Sequence, residues 1–279
     1  HHIAKSDMIG AINTALEVLA MLNVSFPKKP NKLHVYNSYL RTQVALKGRK
    51  PKDLEKRPEL TDKKVMAITR ILSTISLPAF LALPELYPLL IFKQVRLLSK
   101  YGNAPVSAFA YSSYGIILCG VIGKIELGYE FGKLASKMIE KYKAEKFAAR
   151  TQMVWNGMIR HWKDPIKDTL PKLVGAYRRG MDTGSFEYGS FSAFVYCINL
   201  FASGNSLDKL NKEASYYRKS VKQLNQEGPF ILISIFKQLT LHLQGESKTK
   251  DLLLLKGKAL DELTLIPQLQ KANDNSALG

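Results

Sequence analysis

The chain has 279 residues, 46% hydrophobic and 23% charged, with two cysteines and a formal net charge of +18. These values exclude collagenous, disulfide-framed and disordered classes and leave enough chain to bury a large core, as one domain or as an array of repeats. The charge is uneven: residues 28–70 hold 13 Lys or Arg against 4 Asp or Glu, most densely in GRKPKDLEKRPELTDKK at 48–64.

Helical signals prevail, and strand-like alternation bounded by turn pairs is hard to find. Ile12, Leu16, Leu19 and Ala20 give residues 9–22 a helical spacing that stops at Asn23-Val24-Ser25-Phe26-Pro27, where proline cannot continue the helix. A second helix covers 33–46 and ends at Gly48. A basic connector, 47–61, carries Pro51 and Pro58 and leads to Asp62, an N-cap residue type for a helix through Leu77. Pro78, Pro84 and Pro88 divide the next stretch, ahead of a helix across 95–101. From Ala104 onward helix pairs begin at intervals of about 40 residues, in the range of the longer helical repeats. Their starts fall near Ala104, Ala144, Gly184 and Gly228, and their internal breaks near Gly123, Asp164-Pro165, Gly204 and Gly245. A last helix covers 260–271.

Residues 105–135 and 186–220 share one design: a small-and-aromatic helix, a glycine break, then an amphipathic helix. Ala108, Ala110, Ser113, Gly115, Gly128 and Gly132 let two helix backbones approach closely, and Tyr111, Tyr114, Tyr129 and Phe131 fill the seams. This pattern predicts an all-α fold, a solenoid of antiparallel helix pairs with about 11–13 helices. The expected organisation is one helical-repeat domain over 1–279: N-terminal helices with the connector in 1–102, regular pairs in 103–255, and a truncated pair in 256–279. The positions that carry the repeat are Tyr111, Tyr114, Gly115, Gly123, Gly128, Tyr129, Phe131, Gly132, Trp162, Gly184 and Gly204.

No catalytic signature emerges. GVIGK at 120–124 resembles a phosphate loop, but Leu118 stands where its first glycine belongs and Ile125 follows the lysine. His34, His161 and His242 lie far apart in the chain, and His161, beside Trp162, reads as a packing or surface histidine. Glu126, Glu130, Glu187 and Glu213 read as solvated or ion-paired residues on helix faces. Cys119 and Cys197 sit in apolar stretches without CxxC spacing and read as buried thiols of a reducing compartment. The uncharged stretches 101–123 and 188–206 are long enough to span a membrane, but their Asn, Ser and Gly content fits buried repeat helices better. No signal peptide is read at the start.

Several segments together resemble the helical-repeat region of large multidomain bacterial sensor kinases. They are AINTALEVLAMLNVSFPKKP at 11–30, NAPVSAFAYSSYGIIL at 103–118, ELGYEFGKLA at 126–135, IRHWKDPI at 159–166, AYRRGMDTGSFEYGSF at 176–191 and ALDELTLIPQLQKANDNSA at 259–277. In that family a serine/threonine kinase-like domain and an AAA-type ATPase precede the repeats, and a GAF domain and often a histidine kinase follow. Asn23 departs from a usual glycine, and Ser185 and Gly189 depart from Asp and Ala. The resemblance implies that the solenoid is TPR-like and that the chain is an internal, non-catalytic piece of such a protein, cytoplasmic, holding no cofactor and no metal. It would couple an ATPase module to sensor and kinase domains and dock neighbouring domains or other proteins.

The residues themselves offer Arg49, Lys50, Lys52, Lys56 and Arg57 as a partner-binding run. The excess positive charge keeps a nucleic-acid-binding helical array open as an alternative, although the run lacks the interleaved aromatics on which single strands stack. An all-α enzyme with a cavity lined by Tyr111, Tyr114, Trp155 and Trp162 is the third reading. No membrane span and no specific nucleic acid are expected.

Overall fold

The computed structural model describes residues 8–246, 249, 251 and 253–271. The described residues are 75% helix and contain no strand, only the isolated bridges Glu59–Asn103 and Lys256–Asp261. The all-α expectation is met. Two compact units divide the chain, His1–Phe147 and Ala148–Gly279.

The first unit contains α1 (Met8–Met21), α2 (Lys32–Leu46), the short α3 (Pro51–Glu55), α4 (Lys63–Thr74), α5 (Ser76–Ala82), α6 (Leu86–Tyr101), α7 (Ser107–Gly120) and α8 (Ile125–Lys141). α4 and α5 run on as one apolar rod, Lys63–Ala82. With that rod counted once, the described residues form 13 helices, within the expected range. The rod is the one helical stretch among the described residues long and apolar enough to cross a membrane, and half of its apolar window is buried inside the structure.

Local chemistry sets the ends of these helices. Asn31 and Asp62 cap α2 and α4, accepting from the amides of His34 and Val65 at 3.0 Å. Asn23 has φ +62°, a left-handed conformation that asparagine tolerates better than most residues. α6 and α7 are apolar nearly all round, so both lie in the middle of the unit. α6 packs against α2, α4, α5 and α7, and α7 against α8, while α1 lies on α4 and α5. Phe92, Tyr114 and Phe131 form the aromatic spine, with edge-on ring contacts at 6.0 and 4.7 Å.

The second unit takes up the chain within α9 (Glu145–Val154) and continues through α10 (Leu170–Asp182), α11 (Phe186–Ala202), α12 (Leu207–Gln223), α13 (Glu227–Leu243) and α14 (Glu262–Lys271). α10 packs on α11, α11 on α12 and α13, and α12 on α13. The break expected at Asp164-Pro165 begins earlier. A π turn at Trp155–Ile159 and a 3-10 turn at Arg160–Trp162 precede it. Within the π turn Gly157 approaches α11 so closely that an added methyl would lie 2.6 Å from Val195 Cγ1.

The chain also departs from the expected rhythm after Gly245. Where a pairing helix was expected, the described residues up to Glu262 are irregular. They are tied to α13 by Gln238 Oε1, which accepts from the amides of Ala259 and Leu260, and by His242 Nε2 against Leu254 O at 2.9 Å.

Candidate docking surface

The repeat-signature residues separate into seams and turns. Gly115 of α7 and Gly128 of α8 are both buried, and an added methyl at Gly128 would lie 2.4 Å from Cys119 Sγ and 2.7 Å from Gly115 O. The two helices therefore touch backbone to backbone. Gly132 is buried on α8 too, and Tyr129, half-buried, carries the Lys133 ammonium 5.7 Å from its ring centre. Gly123, Gly184 and Gly204 end helices with φ +76°, +69° and +73°. In the second unit the same backbone contact is made by Gly180 and Gly189, where a methyl on Gly180 would fall 2.5 Å from Gly189 Cα. Gly189 sits at the tightest point of that seam.

Tyr111 and Tyr114 are fully buried. The Tyr111 hydroxyl donates to Asn103 Oδ1 at 2.7 Å, and the Tyr114 hydroxyl accepts from Gln43 Nε2 at 2.7 Å. Both tyrosines pack against Phe131 as core residues, which removes them from the cavity lining of the third reading. Trp162 is no seam residue: it is 44% exposed and stacks on His161 with ring centres 5.9 Å apart. Glu187 is half-buried rather than solvated. Burial pushes its carboxyl up, and Arg150 opposes the shift.

The basic run 49–57 is not uniformly available. Arg49 Nη1 donates to Ser99 Oγ at 3.0 Å, and Arg57 Nη2 donates to Lys100 O at 2.8 Å. Both guanidiniums thus engage the C-terminal turn of α6, where carbonyls lack helical partners and cations are favoured. Lys50, Lys52 and Lys56 are exposed. Asn103 completes the clamp: its side chain donates to Leu54 O at 2.7 Å, its amide to Pro58 O at 2.8 Å, and its carbonyl accepts from Leu60 N at 2.7 Å.

A second cluster of cations, Arg41, Lys93 and Arg96, lies where α2 meets α6. Arg96 of α6 donates to Thr42 Oγ1 at 2.8 Å, Ser38 Oγ at 3.0 Å and Ser38 O at 3.1 Å on α2. Burial pushes its guanidinium down to about 10, with Arg41 adding to the shift. Lys93 is lowered by burial first, then by Arg96 and Arg41. The signal for this cluster lay in Lys93 and Arg96, three apart and so neighbours on one face of α6. Each reads alone as a surface residue.

Burial pushes the Cys119 thiol up to about 11 and the Cys197 thiol up to about 12. Among the described residues no three His, Cys, Asp or Glu side chains converge as a metal-holding group would. A polar cavity of about 220 Å³ borders α12 and α13, but its cations are already engaged. Lys237 Nζ donates to Asn211 O and Ser215 Oγ, Arg218 Nε to Ser234 Oγ, and Lys258 Nζ to Glu246. No protein-family profile, curated protein or solved structure matches the chain.

Proposed function

We propose that the chain is a non-catalytic helical scaffold, a TPR-like solenoid segment of a multidomain signal-transduction kinase. In this reading it acts in the cytoplasm, couples an ATPase module to sensor and kinase domains, and docks neighbouring domains or other proteins. The observation that carries the reading is the close-packed seam between consecutive helices, built on Gly115 and Gly128 in one unit and on Gly180 and Gly189 in the other. Helix pairs locked at their backbones move as rigid pieces, so small rotations of pair against pair can transmit a state along an array. The family resemblance of the segments supplies the signalling context.

Two results test the proposal together. Protein incubated with radiolabelled ATP should release no phosphate above a blank and carry no label. The reading frame, followed outward in both directions, should encode the ATPase on one side and sensor or histidine-kinase domains on the other. Turnover abolished by His161→Ala, or a frame lacking both neighbours, overturns it.

A further inference from the structure

Helix α2 is apolar on two sides. Tyr39, Thr42 and Leu46 are buried, and the helix packs chiefly on α6. Elsewhere on its surface Leu33, Tyr36, Leu40 and Val44 are 65%, 58%, 43% and 75% exposed. Spacings of three, four and four keep such residues in one line, because an 11-residue repeat is close to a whole number of helical turns. At about 1.5 Å per residue the line is roughly 16 Å long.

Cations frame the line. By helical geometry Arg41 and His34 edge it on one side and Lys32 on the other, with Lys47 beyond its C-terminal end, and all four are exposed. Neither α2 nor α6 contains a carboxylate, and α6 adds Lys93 and Arg96 beside Arg41.

We propose that this stripe docks an amphipathic helix of a protein partner, one whose apolar line is edged by Asp and Glu. Charge complementarity selects that occupant. A second copy of the chain would bring the same cations to the contact. A membrane-surface helix presents a broad apolar face, whereas this line is one side chain wide and Asn37 and Arg41 adjoin it. A single strand would find one exposed ring, Tyr36, on which to stack. An apolar seam with charged edges is how helices choose partners in coiled coils. The inference rests on the docking reading above and names one surface and one partner chemistry for it.

The test uses the full chain and a fluorescein-labelled amphipathic peptide of about 18 residues, five helical turns, with a leucine line edged by glutamates. A twin with lysines in place of the glutamates and vesicles of phosphatidylserine or phosphatidylcholine are the competing probes. Anisotropy should show the acidic peptide binding at least about tenfold tighter than its twin, and hydrogen exchange should slow across 33–44. Leu40→Ser with Val44→Ser should weaken binding about tenfold or more, as loss of central apolar contacts does at helix interfaces. Arg41→Gln should weaken it several-fold. The thermal midpoint should hold in both variants, since these side chains are exposed.

Absence of binding, equal binding of both peptides, or protection confined to other helices overturns the proposal. So does preferential vesicle binding, or self-association, through the same residues. Such failure with the ATP and reading-frame results intact removes this surface and leaves the scaffold standing.

Discussion

At Gly128 a single methyl group probes the seam. It would meet Cys119 Sγ at 2.4 Å and the Gly115 carbonyl at 2.7 Å, and the carbonyl belongs to a helix backbone that cannot step aside. Gly128→Ala is expected to destabilise the protein by about 1–3 kcal/mol, the usual range for overpacking. Gly175→Ala, in α10 with no atom within 4 Å of the new methyl, should stabilise by about 0.5–1 kcal/mol through reduced backbone freedom of the unfolded chain. Urea midpoints of the two variants read both signs, and equal shifts would mean that the seam is loose. Gln94 gives a second prediction at this scale. It is fully buried on α6, and neither of its amide atoms has a hydrogen-bond partner. Gln94→Met, similar in shape, should stabilise by about 1–3 kcal/mol, and a loss of stability would reveal a partner for the amide. Gly128 was legible because its spacing from Gly132 and the small residues of α7 forms a pattern. Gln94 was not, since a polar residue between apolar neighbours looks the same whether it faces water or the core.

The connector shows how far elements can be read. Its prolines, its charge and the Asp62 cap were visible in sequence. Its fixation by Asn103 and the two arginines was not, because those contacts join residues some fifty positions apart. Gly102 is the pivot of that arrangement. Its φ is +111°, and a methyl there would lie 2.3 Å from Pro58 O. Gly102→Ala is therefore expected to combine backbone strain of about 1–3 kcal/mol with overpacking of similar size. Gly48→Ala, at φ +72° with open space around it, should lose only about 1–2 kcal/mol. Thermal or urea unfolding compares the two, and a smaller loss at Gly102 would contradict the clamp. The irregular stretch before Glu262 was misread for a related reason. The 40-residue rhythm placed regular pairs through 255, but the course of this stretch follows hydrogen bonds to Gln238 and His242 of α13, which lie outside any local pattern.

For the whole molecule, burial of the two thiols ties stability to alkaline pH. Burial raises Cys119 from 9.0 to about 11 and Cys197 to about 12, so the folded state holds protons that the unfolded chain releases. Their contribution to stability is fully present below pH 9.0 and is lost as pH rises towards 11–12. Plots of urea midpoint against pH should fall less steeply above pH 9.0 in a Cys119→Ala, Cys197→Ala variant than in the parent chain, and identical slopes would contradict the burial of these thiols.

If the positive charge serves contacts between proteins, duplex and single-strand titrations at two salt concentrations should find no specific nucleic acid. Residues 49–57 lie in a clamped connector, two of the five cations are bound to the last turn of α6, and no aromatic interleaves them. Association should be about 10⁻⁴–10⁻⁶ M, blind to sequence and falling steeply with salt, as counterion release alone produces. Nanomolar binding with a sequence preference, lost when Arg49, Lys50, Lys52, Lys56 and Arg57 are neutralised together, would contradict that role.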